Sequence, residues 1–140
     1  ELLRNIPMFA NIEPSKLKLL AFTSERLTFE SGDTLFNEGD TGDNAYIIID
    51  GEADVMIKTA TGQIKVAHFG RNDLVGEIAI LCDVPRTATV TASKRLETMV
   101  ISKDLFYRLI MEFPQIAMAI MRELARRLET TNAQLRARSS

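Results

Sequence analysis

The residues best suited to do chemistry lie in one run, Gly76 to Val90, which reads Gly-Glu-Ile-Ala-Ile-Leu-Cys-Asp-Val-Pro-Arg-Thr-Ala-Thr-Val. A short apolar segment, Asp73 to Val75, precedes the run and is typical of a strand end. A turn that starts with glycine and one apolar helical turn follow. Backbone N–H groups at a helix start, with the guanidinium of Arg86 nearby, suit a compact phosphate. The run therefore predicts an anion-binding turn.

The elements that would position this turn are mostly strands. Residues 25–102 alternate short runs rich in Ile, Val, Thr, Tyr and Phe with clusters of Gly, Asp and Asn, which is typical of a β-sandwich or barrel. Thr61-Gly62 and Asp50-Gly51 are predicted hairpin turns. The predicted strands are Arg26–Glu30, Thr34–Phe36, Ala45–Asp50, Ala53–Lys58, Gln63–Phe69, Thr87–Ala92 and Glu97–Ser102.

Helical periodicity marks both ends of the chain. Pro14 suits the first turn of an N-terminal helix whose buried stripe is Leu17, Leu20 and Ala21. Ser102 is a predicted N-cap of the helix that follows it. Pro114 ends that helix, and a second, longer helix follows. The apolar stripe of the longer helix consists of Ile116, Ile120, Leu124, Leu128, Thr131 and Leu135.

Composition narrows the class of protein. A chain of 140 residues is expected to form one domain, and its net charge of -2 gives no electrostatic footprint for nucleic acid. The single cysteine, Cys82, excludes a disulfide framework and fits a reducing compartment, so we expect a cytoplasmic location. No apolar run approaches the ~20 residues that span a bilayer. Because the chain begins at Glu1, we expect it to be a piece of a longer protein.

The run resembles the phosphate-binding cassette of cyclic nucleotide-binding domains. It has a Gly-Glu-x-Ala-x-Leu start and a Pro-Arg-Thr-Ala-Thr-Val finish, and the nine-residue spacing of Glu77 and Arg86 is that of kinase regulatory subunits and cyclic nucleotide-gated channels. The segment 32–40 is similar to the family's early strand and turn, and 46–51 to its apolar strand ending in glycine. The tail after Arg122 resembles the long helix of the bacterial catabolite activator protein. The resemblance covers essentially the whole chain.

The fold that the resemblance implies is mainly β, an eight-stranded antiparallel jelly-roll barrel with N-terminal helices and two C-terminal helices. It would be a single domain over 1–140, with a helical segment at 1–24, the jelly roll at 25–102 containing the cassette at 76–90, and the C-terminal helices at 103–137. The predicted ligand is cAMP, by preference, or cGMP, with no further cofactor and no metal.

Each part of a cyclic nucleotide needs its own partner. Arg86 would give two parallel N–H donors to the phosphate, Glu77 would accept the ribose 2′-OH, and Thr87 would reach the phosphate or the 2-amino group of guanine. By similarity to the catabolite activator, Thr131 and Asn132 would contact the base. The predicted ligand-binding set is Gly76, Glu77, Ile78, Ala79, Pro85, Arg86, Thr87, Ala88, Thr131 and Asn132.

Simpler interpretations exist for the same residues. Arg86 could form a surface ion pair with Asp83 or Glu77, Glu77 could be only a favourable acid in a first helical turn, and Thr87 an ordinary strand residue. We expect a structural role for His68, the only histidine, and no zinc site at Cys82. The last helix could pack on its own domain, cover the base as a lid, or pair two copies of the chain.

Several classes of function fit the sequence to different degrees. The leading hypothesis is a regulatory module without catalysis, whose partners are the cyclic nucleotide and an attached effector domain, with a second copy of the chain through the C-terminal helix as one alternative. An alternative is the sensor half of a transcription factor, with its recognition helix beyond Ser140 and no direct nucleic acid contact from these residues. A cupin-type enzyme would need several histidines. A domain that has lost its ligand would not be expected to keep both Glu77 and Arg86.

Overall fold

The computed structural model describes the backbone of residues 6, 9, 10 and 12–139, and their side chains except those at positions 23, 131, 134, 135, 138 and 139. Within these residues, eight strands lie between helices at the two ends, and one short helix interrupts the strands. The elements are α1 (Pro14–Thr23), β1 (Glu25–Phe29), β2 (Thr34–Phe36), β3 (Asn44–Asp50), β4 (Ala53–Thr59), β5 (Gly62–Phe69), β6 (Leu74–Val75), α2 (Glu77–Leu81), β7 (Thr89–Ala92), β8 (Leu96–Ser102), α3 (Lys103–Glu112) and α4 (Pro114–Ser139).

The strands form two antiparallel sheets of four strands each. The first sheet has the order β1–β8–β3–β6 and the second β2–β7–β4–β5. This confirms the predicted jelly roll of eight strands with flanking helices, but its closure into a barrel is wrong, because no strand pairing among the described residues joins the two sheets. Strand β6, at the edge of the first sheet, has only two residues before Gly76 leads into α2. It therefore has few N–H and C=O groups with which to pair with the second sheet.

Strand β3 is buried on both faces and separates two apolar clusters. Ala45, Ile47 and Ile49 pack against the helices, in a cluster that includes Phe106 of α3. Ile48 belongs to the second cluster, which fills the space between the two sheets. The continuous apolar run of this strand in the sequence is the pattern expected when both faces are covered.

The helices begin where local chemistry favours them. Pro14 occupies the first turn of α1, where its missing N–H costs no hydrogen bond. The Oγ of Ser102 accepts the N–H of Leu105 at 3.2 Å, which confirms Ser102 as the N-cap of α3. In α4 the predicted apolar stripe is buried at Ile116 and Ile120, whereas Leu128 is 62% exposed. The side chains of Thr131 and Leu135 in the same stripe lie outside the described residues.

Two turns differ from prediction. Thr59 pairs with Gly62 across the β4–β5 hairpin, so its turn residues are Ala60 and Thr61, one position earlier than the predicted Thr61-Gly62. The predicted Asp50-Gly51 hairpin is wrong, because β3 and β4 lie in different sheets. With a φ of +104°, Gly51 instead leads the chain from one sheet to the other.

Candidate functional site

The predicted anion-binding turn follows directly from a core strand. Tyr46 and Ile47 of β3 pair with the two residues of β6, and Gly76 comes next. Gly76 has a φ of +91°, in the left-handed region that favours glycine. Helix α2 is then anchored by Ala79 and Ile80, both buried. The turn is therefore held by the core on both sides.

Backbone hydrogen bonds fix Arg86 on both of its sides. Its N–H donates to the carbonyl of Asp40 and its carbonyl accepts the N–H of Gly39, each at 2.8 Å. Its Nη1 donates to the carbonyl of Gly76 at 2.9 Å, and its Nη2 to the carbonyl of Asn44 at 2.6 Å. The guanidinium thus joins the turn before α2 to the start of β3.

The charge of Arg86 is buried without a carboxylate partner. The residue is 5% exposed, and no described carboxylate lies within 4.0 Å of its guanidinium. Its Nε is buried without a hydrogen-bond partner among the described residues. Burial lowers the pKa of Arg86. The interpretation as a surface ion pair is wrong, since Asp83 instead lies 3.8 Å from Lys103. A buried cation with an unused N–H is suited to an anion.

Glu77 is the second buried charge of the cassette. It is 3% exposed, so it is not a solvated acid of a first helical turn. Its Oε1 accepts a hydrogen bond from Nη1 of Arg127 at 3.0 Å. Burial raises the pKa of Glu77, and the positive charge of Arg127 opposes this effect. The carboxylate is therefore held in a position fixed by α4.

Arg127 is a site residue that the sequence analysis did not identify. Its guanidinium also donates to the carbonyl of Leu74 at 3.2 Å and lies 4.4 Å from the centre of the Phe69 ring. Glu123, one turn earlier, approaches its Nε at 3.4 Å. Its position four residues before Thr131, a predicted base contact, was a signal that could have identified it.

These side chains open on one cavity of about 1040 Å³. Its walls come from the cassette, from β5 and from α4, and Ile64 and Val66 of β5 add exposed apolar surface. Seven of the predicted ligand-binding residues line it: Gly76, Glu77, Ile78, Ala79, Arg86, Thr87 and Ala88. Pro85 and Asn132 are exposed and do not line it. The side chain of Thr131 lies outside the described residues.

Thr87 lies outside the strand predicted for it. Strand β7 begins at Thr89, so Thr87 is an exposed residue that follows Arg86 at the cavity. Its exposure at the cavity leaves its hydroxyl available to a ligand.

The other histidine, cysteine and acidic side chains in the described part of the chain form no metal-binding cluster. No group of three or more His, Cys, Asp or Glu side chains there could hold a metal ion. His68 contacts Asp54 and Glu52, its Nδ1 and Nε2 each lying 2.7 Å from one carboxylate. None of the described helices has the length and apolar character needed to cross a membrane.

Fold and site together place the chain in a known class. The model of the cyclic nucleotide-binding domain matches residues 26–113, more than half of the chain. The chain belongs to the cyclic nucleotide-binding domain family. This confirms the resemblance inferred from the cassette.

Regulators and regulatory subunits from several organisms are similar to this chain. The chain is 32% identical over 136 residues to a CRP-like cAMP-activated global transcriptional regulator of Mycobacterium tuberculosis, covering 96% of this chain and 61% of the regulator. It is 36% identical over 110 residues to a cAMP-dependent protein kinase regulatory subunit of Eremothecium gossypii, covering 79% of this chain and 23% of the subunit. The catabolite activator protein of Thermus thermophilus superimposes with a TM-score of 0.82 at 25% identity, covering 95% of this chain and 63% of that one. The chain thus spans under two thirds of each.

Proposed function

We propose that this chain is a regulatory module that binds a cyclic nucleotide, preferably cAMP, and catalyses no reaction. The observation that carries the proposal is the pair of buried charges in one cavity. Arg86 has no carboxylate partner among the described residues, and Glu77 is held at the opposite end of the same cassette. A cyclic nucleotide has a single phosphate charge, one free ribose hydroxyl and an apolar purine face.

Each of these three parts has a candidate partner in the cavity. The unused N–H groups of Arg86 suit the phosphate, since hydrogen bonds between charged groups are the stronger ones. The carboxylate of Glu77 suits the ribose 2′-OH. The apolar side chains of Ile64 and Val66 offer a surface for the purine.

Regulation would use the contact between Glu77 and Arg127. A ribose hydroxyl that reached Glu77 would change the environment of Arg127, and with it the preferred position of α4. A ligand shifts an equilibrium only by its differential affinity for the two arrangements. A coupling of ~1–3 kcal/mol would change the activity of an attached effector roughly 5- to 150-fold. We place this module in the cytosol, as its single cysteine and its proposed ligand suggest.

Isothermal titration calorimetry with cAMP and with cGMP tests the proposal. We expect one site per chain, tighter for cAMP. Arg86→Lys keeps the charge and loses the planar pair of donors, so it should weaken binding at least about tenfold. Arg71→Lys is the matched control, because Arg71 is exposed and pairs with Asp50. Flat titrations of the folded wild-type protein with both nucleotides would refute the proposal.

A cGMP-selective domain is the alternative ligand assignment. The exposed hydroxyl of Thr87 beside Arg86 favours it, because such a hydroxyl could accept a hydrogen bond from the 2-amino group of guanine. Thr87→Val should then weaken binding of cGMP and leave that of cAMP nearly unchanged. An equal loss for both nucleotides would assign Thr87 to the phosphate instead.

A second candidate function is the sensor half of a dimeric transcriptional regulator. Helix α4 carries exposed residues at Met118, Met121, Ala125, Leu128 and Asn132, and this 3–4–3–4 spacing is that of a coiled-coil seam. We name these five residues the α4 seam. The cavity is lined from the same helix by Glu123, Arg127 and Thr130, so a lid and a dimer interface would use different faces.

The oligomeric state tests this second candidate. Leu128→Glu should convert a dimer to a monomer in size-exclusion chromatography with light scattering. Met111→Glu is the control, because Met111 is 82% exposed but belongs to α3. In such a dimer Asn132 would face the partner chain rather than its own cavity. A wild-type monomer at all concentrations would refute pairing through the α4 seam.

A further inference from the structure

The ring of Phe36 lies directly against the guanidinium of Arg86. The Cζ of Arg86 is 3.9 Å from the ring centroid, within the range of a cation–π interaction. Phe36 lines the same cavity as Arg86, so the contact belongs to the site rather than to the interior alone. Among the described residues, the ring is the aromatic group that Arg86 contacts.

Two glycines complete the space around the guanidinium. A Cβ atom at Gly42 would lie 2.5 Å from Nε of Arg86, and one at Gly76 would lie 2.6 Å from its Nη1. Both distances are too short for a side chain to be present without displacing Arg86. The ring of Phe36, Gly42 and Gly76 therefore enclose the guanidinium in a narrow space.

An irregularity in β2 directs Phe36 into this position. Thr34 pairs with Thr91 of β7, but Phe36 pairs with Val90, so the register shifts between them. Such a bulge places two residues of one strand opposite one residue of its partner and re-aims a side chain. Leu35 and Phe36 accordingly both pack against the cluster between the sheets, instead of alternating.

Phe36 also packs against a second aromatic residue, Tyr46. Its ring stacks on Tyr46 with a centroid distance of 6.2 Å and an interplanar angle of 23°. Tyr46 is buried, and Phe29 packs on it edge-on at the same distance. A ring supported in this way has little freedom to move away from Arg86.

We propose that Phe36 is a positioning residue for the phosphate-binding Arg86, orienting the plane of its guanidinium before the nucleotide arrives. The inference rests on the proposed function, because it assigns Arg86 to the phosphate. A planar ring against a planar guanidinium restricts rotation about the last bonds of the side chain. The unused N–H groups then point in a fixed direction, so the side chain loses less conformational entropy when the nucleotide binds.

The test compares Phe36 with Phe29, because the rings of both residues pack on Tyr46. Phe36→Leu should weaken binding of cAMP about 5- to 30-fold by calorimetry, as expected for loss of a desolvated cation–π contact. Phe36→Tyr, which keeps the ring, should bind like the wild type. Phe29→Leu removes the other ring that packs on Tyr46, and it should leave binding nearly unchanged. Thermal unfolding of each variant shows whether the losses of core packing are comparable.

A double-mutant cycle separates positioning from core packing. In an Arg86→Lys background, Phe36→Leu should cause little additional loss, because an ammonium has no plane for a ring to orient. In the nucleotide-free protein, the Nε–H resonance of Arg86, assigned by its disappearance in Arg86→Lys, should be shifted by the ring current of Phe36. That shift should collapse in Phe36→Leu and persist in Phe29→Leu.

The outcomes distinguish this inference from the proposed function. Equal losses of affinity in Phe36→Leu and Phe29→Leu, or an Arg86 resonance that does not respond to Phe36→Leu, would overturn the role of Phe36 alone. A wild-type protein that binds neither cAMP nor cGMP would overturn the proposed function together with this role.

Discussion

Nη1 of Arg127 lies 3.0 Å from Oε1 of Glu77, although the two residues are 50 positions apart in the chain. The contact ties the last helix to the first residue of α2. Glu77 is almost completely buried and Arg127 is about three-quarters buried, so solvent screens the pair less than it would an exposed one. We therefore expect a ligand that contacts Glu77 to act on α4 through the same atoms.

Removal of Arg127 should leave Glu77 buried without its cation. We expect Arg127→Met to lower the free energy of unfolding by about 1–3 kcal/mol, the usual cost of an unpaired buried polar group. Because burial already raises the pKa of Glu77, the loss should be larger at pH 8 than at pH 4. Urea unfolding at both pH values measures it. The double variant Glu77→Gln with Arg127→Met should recover stability; no recovery would show that Arg127 acts through other contacts.

The ribose contact should depend on the charge of Glu77. Glu77→Gln keeps the shape but removes the charge, and hydrogen bonds to charged groups contribute about 1.5–3 kcal/mol. We expect the preference for cAMP over 2′-deoxy-cAMP to narrow by about tenfold or more, since 1.4 kcal/mol is a factor of ten. Competition binding with the two nucleotides measures the ratio. Glu129→Gln, on the exposed face of α4, serves as the control, and an unchanged ratio in Glu77→Gln would remove this residue from the ribose site.

His68 should make stability depend on pH. Both ring nitrogens lie 2.7 Å from a carboxylate oxygen, and only the imidazolium can donate to both. Hydrogen bonds to Asp54 and then to Glu52 raise the pKa of His68, against the opposing effects of burial and of the charge of Lys65. The stabilisation is fully present below the ordinary pKa of about 6.5 and is lost as pH rises through the raised folded value.

The measurement for His68 is the difference in free energy of unfolding between wild type and His68→Gln from pH 5.5 to 8.5. We expect that difference to fall with rising pH and to stay below about 1 kcal/mol, because the ring is exposed and solvent screens the pairs. The partner carboxyls keep their charge throughout this range, since their own pKa values are lowered by His68 and by Lys94 or Lys65. A difference that does not vary with pH would mean that folding leaves the pKa of His68 unchanged.

Tyr107 should hold the end of α2. Its hydroxyl donates to the carbonyl of Ile80 at 2.9 Å, linking α3 to the cassette. Tyr107→Phe should cost about 1 kcal/mol of unfolding free energy. It should also speed amide exchange at Cys82 and Val84, whose N–H groups donate to the carbonyls of Ile78 and Ala79 in α2. Exchange that is faster throughout the chain, rather than at these two amides, would indicate only a global loss of stability.

The sequence was sufficient to predict most of the fold because local signals agreed with one another. Strand β2 was predicted at its observed bounds, and Ser102 was identified as an N-cap from its type alone. The barrel and the Asp50-Gly51 hairpin were wrong for one reason. Periodicity indicates that two strands exist, but the choice of partner depends on packing between residues far apart in the chain.

The sequence likewise predicted some residues of the candidate site and missed others. Glu77, Arg86 and Thr87 lie within one run and could be found by their spacing, and the structure places all three at one cavity. Arg127 and Phe36 make contacts that cross the fold, so neither could be found from spacing within the cassette. The position of Arg127 four residues before Thr131 was the signal available for it. Asn132 was predicted as a base contact, and in a single chain it lies on the exposed α4 seam instead.

Strand β6 is two residues long and leads without a spacer into Gly76. Tolerance to insertions and deletions should therefore differ sharply along this chain. One added residue at the β4–β5 turn would lengthen a surface loop, whereas one added residue after Val75 would displace the turn at Gly76 and separate Glu77 from Arg127. Naturally occurring insertions and deletions among close homologues should accumulate at the β4–β5 turn and be missing after Val75.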